Sequence, residues 1–241
     1  MKITFVGTAS GRTSAERAAS CLYVETGSGN FLIDAGDGAA RGIVRLGIPF
    51  HAVGALFISH MHPDHASGLI PLLQQFYLAE RTDPLTVYLP ASAAGKMEDL
   101  LSLFWMDSRK WPFDLRLTRW ETGVPVRTGN FEIRPLENGH LPARGESFSF
   151  ILREGGKQCV YTADVDGLGH LRKAGGRTDL LISECTHIGV DDILRFSVEN
   201  NISRIVVTHI PDGTDTDSEM KKIPDGGVTL RFARDGDTVT V

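Results

Sequence analysis

The 241-residue sequence has few cysteines, no long apolar run and no excess of positive charge. Its three cysteines, Cys21, Cys159 and Cys185, lie far apart and form no C-x-x-C pair, which argues against a disulfide framework and a cysteine-based zinc site. We expect reduced thiols in a cytoplasmic protein. No stretch approaches the roughly 18 apolar residues of a membrane helix, and the apolar run after Lys2 is too short for a signal peptide.

The formal net charge of −5 argues against a broad electrostatic grip on nucleic acid, because nonspecific phosphate binding needs clustered Lys and Arg. A local basic groove for RNA is still compatible with this composition. Neither a linker, a block of one charge nor a repeat of fixed period divides the chain. We therefore expect residues 1–241 to form a single domain with one sizeable core.

Short apolar, β-branched runs alternate with Gly-rich turns and with amphipathic segments. The strands that these runs predict are 3–6, 21–24, 31–33, 55–58, 86–89, 148–152, 159–161, 180–182 and 205–207. Apolar residues at helical spacing predict helices at 38–46, 66–78, 92–104, 168–174 and 191–200. Elements that alternate in places and cluster in others indicate an α/β (α+β) protein.

The most specific pattern is the hexad His60-Met61-His62-Pro63-Asp64-His65, which directly follows the apolar run 54–59. Imidazole nitrogens and carboxylate oxygens bind zinc and related metals when several converge from a rigid support, and the preceding strand provides that support. The chain has only eight histidines, so chance clustering on the surface is a poor explanation for three of them within six positions. The hexad therefore predicts a metal site.

The H-x-H-x-D-H pattern resembles the signature of the metallo-β-lactamase superfamily. After the hexad, members carry an isolated His, an Asp at a strand end and a final His at another strand end, and His140, Asp164 and His209 follow in that order. The Phe-x-Gly-Thr at 5–8 and the Asp-x-Gly-Asp-Gly at 34–38 make the chain most similar to the tRNase Z and small-phosphodiesterase branch. The resemblance implies a four-layer αββα sandwich, two mixed β-sheets flanked by helices.

The resemblance also implies how the ligands divide between two divalent metal ions. The implied ligands are His60, His62 and His140 for the first ion, Asp64, His65 and His209 for the second, and Asp164 as the bridge. Two such metals can share a hydroxide, bring its pKa toward neutrality and clamp phosphate oxygens during in-line displacement. These ligand types favour zinc, although manganese and iron tolerate the same set.

Phosphate ester cleavage also needs a proton for the leaving alkoxide, and two side chains are candidates for moving protons. Asp64 would hold or accept the proton of the attacking water. His187 resembles the general-acid His of tRNase Z-like enzymes, and Glu184 resembles the Glu that supports it. Ser183 replaces the first His of that family's His-Glu-Ala-Thr segment and the spacing to His187 is shorter, so the alternative is that His187 is a loop residue.

Several further features have less defined roles. Asp34 either orients a ligand His or forms a turn. His51 and His170 lie in polar, loop-like surroundings, and no role is assigned to them. The aromatic and basic segment 104–113 is expected to be core or a dimer contact, with a lid or a substrate contact as the alternative.

These features favour a dinuclear metal-dependent hydrolase, most specifically a phosphodiesterase acting on a small or cyclic nucleotide-like phosphodiester. One alternative is a tRNase Z-like endoribonuclease that processes tRNA 3′ ends, which the negative charge and the lack of an obvious Gly/Pro-rich clamping arm weigh against. Another is a lactone or ester hydrolase, which has less need of His187. A binding protein that has lost catalysis fits poorly with seven ligand residues. The resemblance favours a homodimer.

Overall fold

The computed structural model describes residues 1–12, 14–141, 146–221, 223 and 227–241. Its strands are β1 (Lys2–Gly7), β2 (Cys21–Thr26), β3 (Gly29–Ile33), β4 (Val53–Phe57), β5 (Leu85–Leu89), β6 (Leu115–Arg119), β7 (Val126–Thr128), β8 (Phe131–Glu137), β9 (Phe148–Glu154), β10 (Lys157–Tyr161), β11 (Leu180–Ser183), β12 (Arg204–Val207), β13 (Thr229–Phe232) and β14 (Thr238–Thr240). Its α-helices are α1 (Ala39–Arg45), α2 (Pro63–Ala66), α3 (Leu69–Leu78), α4 (Ala91–Leu103), α5 (Val190–Glu199) and α6 (Thr216–Met220). Short 3₁₀ helices occur at Phe50–Ala52, Ser108–Lys110 and Gly169–Ala174.

Within these described ranges the strands form two seven-stranded sheets, ordered β14-β1-β2-β3-β4-β5-β6 and β13-β12-β11-β10-β9-β8-β7. In the first sheet the pairs from β14 to β3 are antiparallel and those from β3 to β6 are parallel. In the second sheet the pairs from β7 to β10 are antiparallel and those from β10 to β13 are parallel. Both sheets are therefore mixed, and the parallel strands of each one end at a common edge.

Three apolar clusters separate the layers of the fold. The two sheets face each other across a core rich in aromatic residues, in which the rings of Trp120 and Phe150 lie 5.1 Å apart. A second cluster joins α1, α3 and α4 to the outer face of the first sheet. A third joins α5 and the 3₁₀ helix at Gly169–Ala174 to the outer face of the second. The layers are helix, sheet, sheet and helix, which confirms the predicted αββα fold.

All nine predicted strands occur, but two of the predicted helices differ. The helix predicted at 66–78 is divided into α2 and α3 at Ser67 and Gly68. The Gly68 N–H donates to the Ala35 oxygen at 2.9 Å, and a side chain at Gly68 would overlap the backbone oxygen of Gly36. The segment predicted as a helix at 168–174 forms a 3₁₀ helix instead.

The aromatic segment 104–113 divides between core and surface. Phe113 is buried with the first-sheet cluster, and Met106 and Trp111 pack against that cluster. Trp105, by contrast, is 96% exposed. The expectation of core packing therefore holds for the end of the segment and not for Trp105.

The expectations about membrane helices and about cysteine pairing can be compared with the described residues. None of the helices found there is long and apolar enough to cross a membrane. Cys21, Cys159 and Cys185 are free thiols, as expected from their spacing.

Candidate metal centre

The residues predicted to bind metal all follow strands, at one edge of the two sheets. The hexad begins three residues after β4 ends, and His140, Asp164 and His209 follow β8, β10 and β12 within three residues. The first half of the hexad, residues 60–62, is a short loop, and its second half, residues 63–65, forms the start of α2. Side chains that are far apart in the sequence therefore meet where these strands end.

Three non-glycine residues at these strand ends have left-handed backbone conformations. The φ angles are 61° at Asp34, 49° at Ala163 and 51° at His209. Such conformations cost about 1–3 kcal/mol each and persist where surrounding contacts impose them, commonly at functional sites. Asp34 follows β3, Ala163 precedes Asp164, and His209 follows β12, so all three lie beside the predicted ligands.

Close backbone contact holds the hexad against the loop that follows β3. A Cβ atom at Gly36 would overlap the backbone oxygen of Asp64, so this position requires glycine. The neighbouring Ala35 N–H donates to the His65 oxygen at 2.8 Å. Because Gly36 has no side chain, the backbone of the Asp-x-Gly-Asp-Gly segment contacts the backbone of the hexad directly.

One group of four side chains brings a ligand atom each to a common space. The group is His60, His62, His140 and Asp164, whose ligand atoms all lie within 4.8 Å of one another. His62 Nδ1 lies 3.3 Å from His140 Nε2. Asp164 Oδ2 lies 3.7 Å from both His60 Nε2 and His140 Nε2. Three imidazoles and one carboxylate oxygen therefore face the same point.

A second group shares Asp164 with the first and consists of Asp64, His65, Asp164 and His209. His209 Nε2 lies 3.0 Å from Asp64 Oδ2 and 3.3 Å from Asp164 Oδ1. His65 Nε2 lies 3.0 Å from Asp164 Oδ1. Asp164 thus presents Oδ2 to the first group and Oδ1 to the second.

Unpaired buried atoms test whether these groups suit metal ions. Among the described residues, His60 Nε2, His65 Nε2 and Asp164 Oδ1 are buried and have no well-aligned hydrogen-bond partner, although the last two lie only 3.0 Å apart. An unsatisfied buried polar atom costs about 1–3 kcal/mol. Divalent cations in the two shared spaces would satisfy all three atoms, so these His and Asp clusters are suited to binding metal ions.

Asp34 fixes the orientation of two of the histidines. Its Oδ2 lies 2.8 Å from His65 Nδ1 and accepts hydrogen bonds from the Ser59 hydroxyl at 2.9 Å and the Tyr161 hydroxyl at 3.2 Å. Because the Ser59 hydroxyl gives its one hydrogen to Asp34, it accepts from His60 Nδ1 at 3.1 Å. In this arrangement Nε2 of each histidine keeps a lone pair for a metal. The orienting role considered for Asp34 is supported over the turn-forming one.

Thr186 does the same for His209, and its role was not predicted. Its hydroxyl donates to the His209 backbone oxygen at 2.8 Å and lies 2.9 Å from His209 Nδ1. The hydroxyl therefore accepts from Nδ1–H, which leaves Nε2 to face Asp64 and Asp164. The signal available in the sequence was that Thr186 directly precedes His187, the candidate proton donor.

The pKa values of the site histidines shift in opposite directions. Burial, followed by the charge of His65, lowers the pKa of His60 to about 2, and burial also lowers the pKa of His140. Burial alone would lower the pKa of His65, but Asp164 and Asp34 raise it well above its ordinary value. Asp34 holds one hydrogen at Nδ1, and the two carboxylates favour a second proton, and with it a positive charge, at Nε2, where a metal ion would compete with that proton.

Glu184 and His187 adjoin both groups. Glu184 is fully buried, and its Oε1 lies 3.0 Å from His187 Nδ1. The other oxygen, Oε2, accepts hydrogen bonds from the backbone N–H groups of Thr186 at 2.6 Å and His187 at 2.8 Å. The His187 ring lies 4.7 Å from that of His140 and 6.0 Å from that of His209. All of the sequence-predicted site residues are therefore close together.

Comparisons with known proteins place this geometry in a family. A family model described as "Anti-Pycsar protein Apyc1" matches residues 1–189. Ribonuclease Z of Halorubrum lacusprofundi is 32% identical over 155 residues, which are 64% of this chain and 48% of that protein. The chain spans about half the length of this and the next curated relatives that it matches.

Solved structures share the fold over almost the whole chain. The metallo-β-lactamase fold protein YhfI from Bacillus subtilis has a TM-score of 0.80 at 21% identity, with 99% of each chain covered. Human tRNase Z, short form, has a TM-score of 0.77 at 20% identity, covering 100% of this chain and 99% of that one. A diphosphatase from the PhnP family has a TM-score of 0.76 at 16% identity, covering 100% and 97%.

These likenesses confirm the predicted metallo-β-lactamase fold and the resemblance to the tRNase Z and small-phosphodiesterase branch. The matched residues 1–189 include the hexad, His140, Asp164, Glu184 and His187, and His209 lies beyond them. Because the family model matches more than three quarters of the sequence, the chain belongs to the anti-Pycsar protein Apyc1 family, and it has the metallo-β-lactamase fold.

Proposed function

We propose that this protein is a dinuclear metal-dependent hydrolase that cleaves small or cyclic nucleotide-like phosphodiesters. The observation that carries the proposal is that the two oxygens of Asp164 belong to two separate ligand groups, with His187 beside both. Two cations bridged in this way are a common arrangement for in-line displacement at phosphorus. The proposed ligands are His60, His62 and His140 for one ion, Asp64, His65 and His209 for the other, and Asp164 for both.

Two metal ions at this site would lower the pKa of a shared water and neutralise charge on the phosphate. Asp64 would accept a hydrogen bond from the attacking water and direct it at phosphorus. As the new P–O bond forms and the ester P–O bond breaks, the leaving oxygen needs a proton, which His187 would donate from Nε2. Glu184, 3.0 Å from His187 Nδ1, would stabilise the protonated ring before the transfer and hold it in place.

A cleft next to Asp64 supports a small substrate. Its volume is about 490 Å³, and it includes Pro63 and Asp64 in its lining. Pockets of roughly 300–1,000 Å³ are typical for small molecules. The cleft is also lined by Arg12, Arg17, Arg41 and Arg45 and by Glu16, Asp37 and Asp235. Two of these arginines already have partners. Arg17 donates hydrogen bonds to the Thr8 hydroxyl and the Ala233 backbone oxygen, and Arg45 lies 3.5 Å from Asp235.

tRNA 3′-end processing is the second candidate, favoured by the name of the curated relatives, Ribonuclease Z. The net charge of −5 and the paired arginines beside Asp64 favour a small substrate over a long polyanion. Both reactions would use the same ligands and the same proton donor. They differ only in which phosphodiester reaches the metals.

The experiment that tests the function measures metal content and turnover on the same preparation. Protein purified without added metal is analysed for zinc, manganese and iron, and we propose zinc as the metal. The substrates are bis-p-nitrophenyl phosphate, a series of cyclic nucleotides, a lactone and a precursor tRNA with a 3′ trailer. We expect two metals per chain and cleavage of a cyclic nucleotide. Preference for the tRNA would favour the second candidate, and lactone turnover alone would overturn both.

The oligomeric state belongs to the same proposal. We propose a homodimer, on the family resemblance and on the fully exposed Trp105 side chain. Sedimentation of the purified chain at several concentrations tests it. A monomer at all concentrations would contradict the proposal without affecting the proposed chemistry.

A further inference from the structure

The side chain of Asn138 links two of the proposed metal ligands. Asn138 follows β8 and is 2% exposed. Its Nδ2 donates to the Asp164 backbone oxygen at 2.8 Å and lies near the Thr162 oxygen at 3.3 Å. Its Oδ1 accepts from the His140 backbone N–H at 3.2 Å. One amide group therefore connects the loop that carries His140 with the loop that carries Asp164.

Asn138 is itself held by a buried polar network. The Ser149 hydroxyl lies 3.4 Å from Asn138 Nδ2 and 2.6 Å from the Thr162 oxygen. His170 Nε2 lies 2.8 Å from that hydroxyl, and His170 Nδ1 lies 3.0 Å from the Gly167 oxygen. His170, which was assigned no role from its polar and loop-like surroundings, is thus half-buried at the end of this network. His51 is exposed and lies in the 3₁₀ helix Phe50–Ala52.

The two loops need such a link because both have unusual backbone conformations. Gly139, directly before His140, has a φ of 77°, and Ala163, directly before Asp164, has a φ of 49°. His140 and Asp164 follow strands β8 and β10, which do not pair with each other, because β9 lies between them. The Asn138 amide spans this gap at the level of the ligands.

We propose that Asn138 is a positioning residue that fixes the placement of His140 relative to Asp164 and so sets the geometry of the first metal site. The proposal rests on the proposed metal binding and not on the identity of the substrate. Both halves of the amide are required, because the N–H groups face backbone oxygens and the carbonyl oxygen faces a backbone N–H. Aspartate has the same shape but would turn an acceptor toward the Asp164 oxygen.

The test replaces bound metal with cobalt(II), whose visible absorption depends on the geometry of its ligands. Apoprotein of the wild type and of the variants N138D, N138A and S149A is titrated with Co²⁺, and affinity is measured by chelator competition. Thermal unfolding of each apoprotein is recorded in parallel. The matched control is Q158A, because Gln158 is 4% exposed and hydrogen-bonded to Arg153 and Thr178 at the opposite end of β10 from Asp164.

For N138D and N138A we expect about 10–100-fold weaker Co²⁺ binding and an altered absorption spectrum. S149A should have a smaller effect, because Asn138 keeps its bonds to Asp164 and His140. Q158A should unfold at a lower temperature and bind Co²⁺ as the wild type does. If N138D and N138A bind Co²⁺ with wild-type affinity and spectrum, the proposal is overturned and Asn138 is a purely structural residue.

Failure of this inference is distinguishable from failure of the proposed function. A wild-type protein that binds two Co²⁺ ions but cleaves no phosphodiester would overturn the function and leave the Asn138 measurement intact. A wild-type protein that cleaves a phosphodiester, with an N138D variant that matches it in Co²⁺ affinity and spectrum, would overturn only the inference.

Discussion

Glu184 Oε1 lies 3.0 Å from His187 Nδ1, so a fully buried carboxylate is paired with a histidine whose side chain is 37% exposed. The carboxylate is fixed by three backbone N–H groups, those of Val165, Thr186 and His187. A base or acid held at one nitrogen keeps its other nitrogen for a reacting group. This pairing supports an acid role for His187 over that of an ordinary loop residue.

The first prediction concerns proton donation. His187→Asn should lower the rate constant by about 10²–10⁴-fold on a substrate whose leaving group is an alkoxide. The loss should be much smaller on bis-p-nitrophenyl phosphate, because p-nitrophenolate is stable without a proton. The measurement is kcat for both substrates in the wild type and the variant, with metal content determined on the same samples.

Glu184→Gln is the companion variant for this prediction. This substitution keeps the size of the side chain but removes the negative charge that stabilises a protonated His187. The loss of kcat should again be larger on the alkoxide substrate than on bis-p-nitrophenyl phosphate, and it should be smaller than the loss in H187N. Equal losses on both substrates for H187N would mean that His187 positions the substrate and does not donate a proton.

The second prediction separates the two metal groups. Asp164→Asn should reduce occupancy of both ions, because its two oxygens belong to different groups. Asp64→Ala should reduce occupancy of the second ion and leave the first, since Asp64 is near His209 and His65 and not in the first group. Metal analysis after gel filtration measures this, and turnover of both variants should fall by at least about 100-fold. A D164N protein with two firmly bound metals would contradict the bridging role.

The sequence predicted the hexad as candidate ligands because its His and Asp residues form a rare pattern after an apolar strand, and the family resemblance added His140, Asp164 and His209. It did not predict the strands β6, β7, β8, β13 and β14. In β6 and β8, arginine, threonine and glutamate alternate with apolar residues, so no continuous apolar run marks them. The strands β7 and β14 have only three residues each and lie at sheet edges, and β14 pairs with β1, which is distant in the sequence.

The residues that orient the ligands were harder to predict than the ligands. Asn138 and Thr186 act through backbone oxygens and N–H groups, and sequence patterns do not reveal where those groups lie. Asp34 was recognised as a candidate because it follows a strand in a Gly-rich segment. Its partner Tyr161 was not, since it lies 127 positions away and reaches Asp34 across the space between the two sheets.

The third prediction concerns the buried carboxylate of Asp34. Asp34→Ala should destabilise the protein by about 3–5 kcal/mol, because it removes one partner of a buried pair with His65 and leaves Ser59 unsatisfied. Tyr161→Phe should cost only about 0.5–1.5 kcal/mol, since it removes a single hydrogen bond to the same oxygen. Urea unfolding of the apoproteins measures both values. Similar losses for the two variants would show that Asp34 is not the centre of this network.

The fourth prediction concerns Thr186 and the orientation of His209. Thr186→Val keeps the shape of the side chain but removes the hydroxyl that lies 2.9 Å from His209 Nδ1. We expect about 10–100-fold weaker binding of the second metal, with the first unaffected. Chelator competition measures both affinities, and Thr186→Ser should restore the wild-type value because it returns the hydroxyl. A serine variant as weak as the valine variant would indicate that packing of the methyl group, and not the hydrogen bond, orients His209.

The fifth prediction concerns metal removal and stability. A ligand that binds only the folded protein adds about 2.7 kcal/mol when its free concentration is 100 times its dissociation constant. For a chain of this size that corresponds to about 5–11 °C in Tm per ion. Thermal unfolding with a chelator and with added zinc measures the difference. D164N is the matched control, because a variant with reduced occupancy of both ions should show a smaller difference in Tm between the two conditions. If wild-type protein responds no more than D164N does, the two His and Asp groups do not bind zinc.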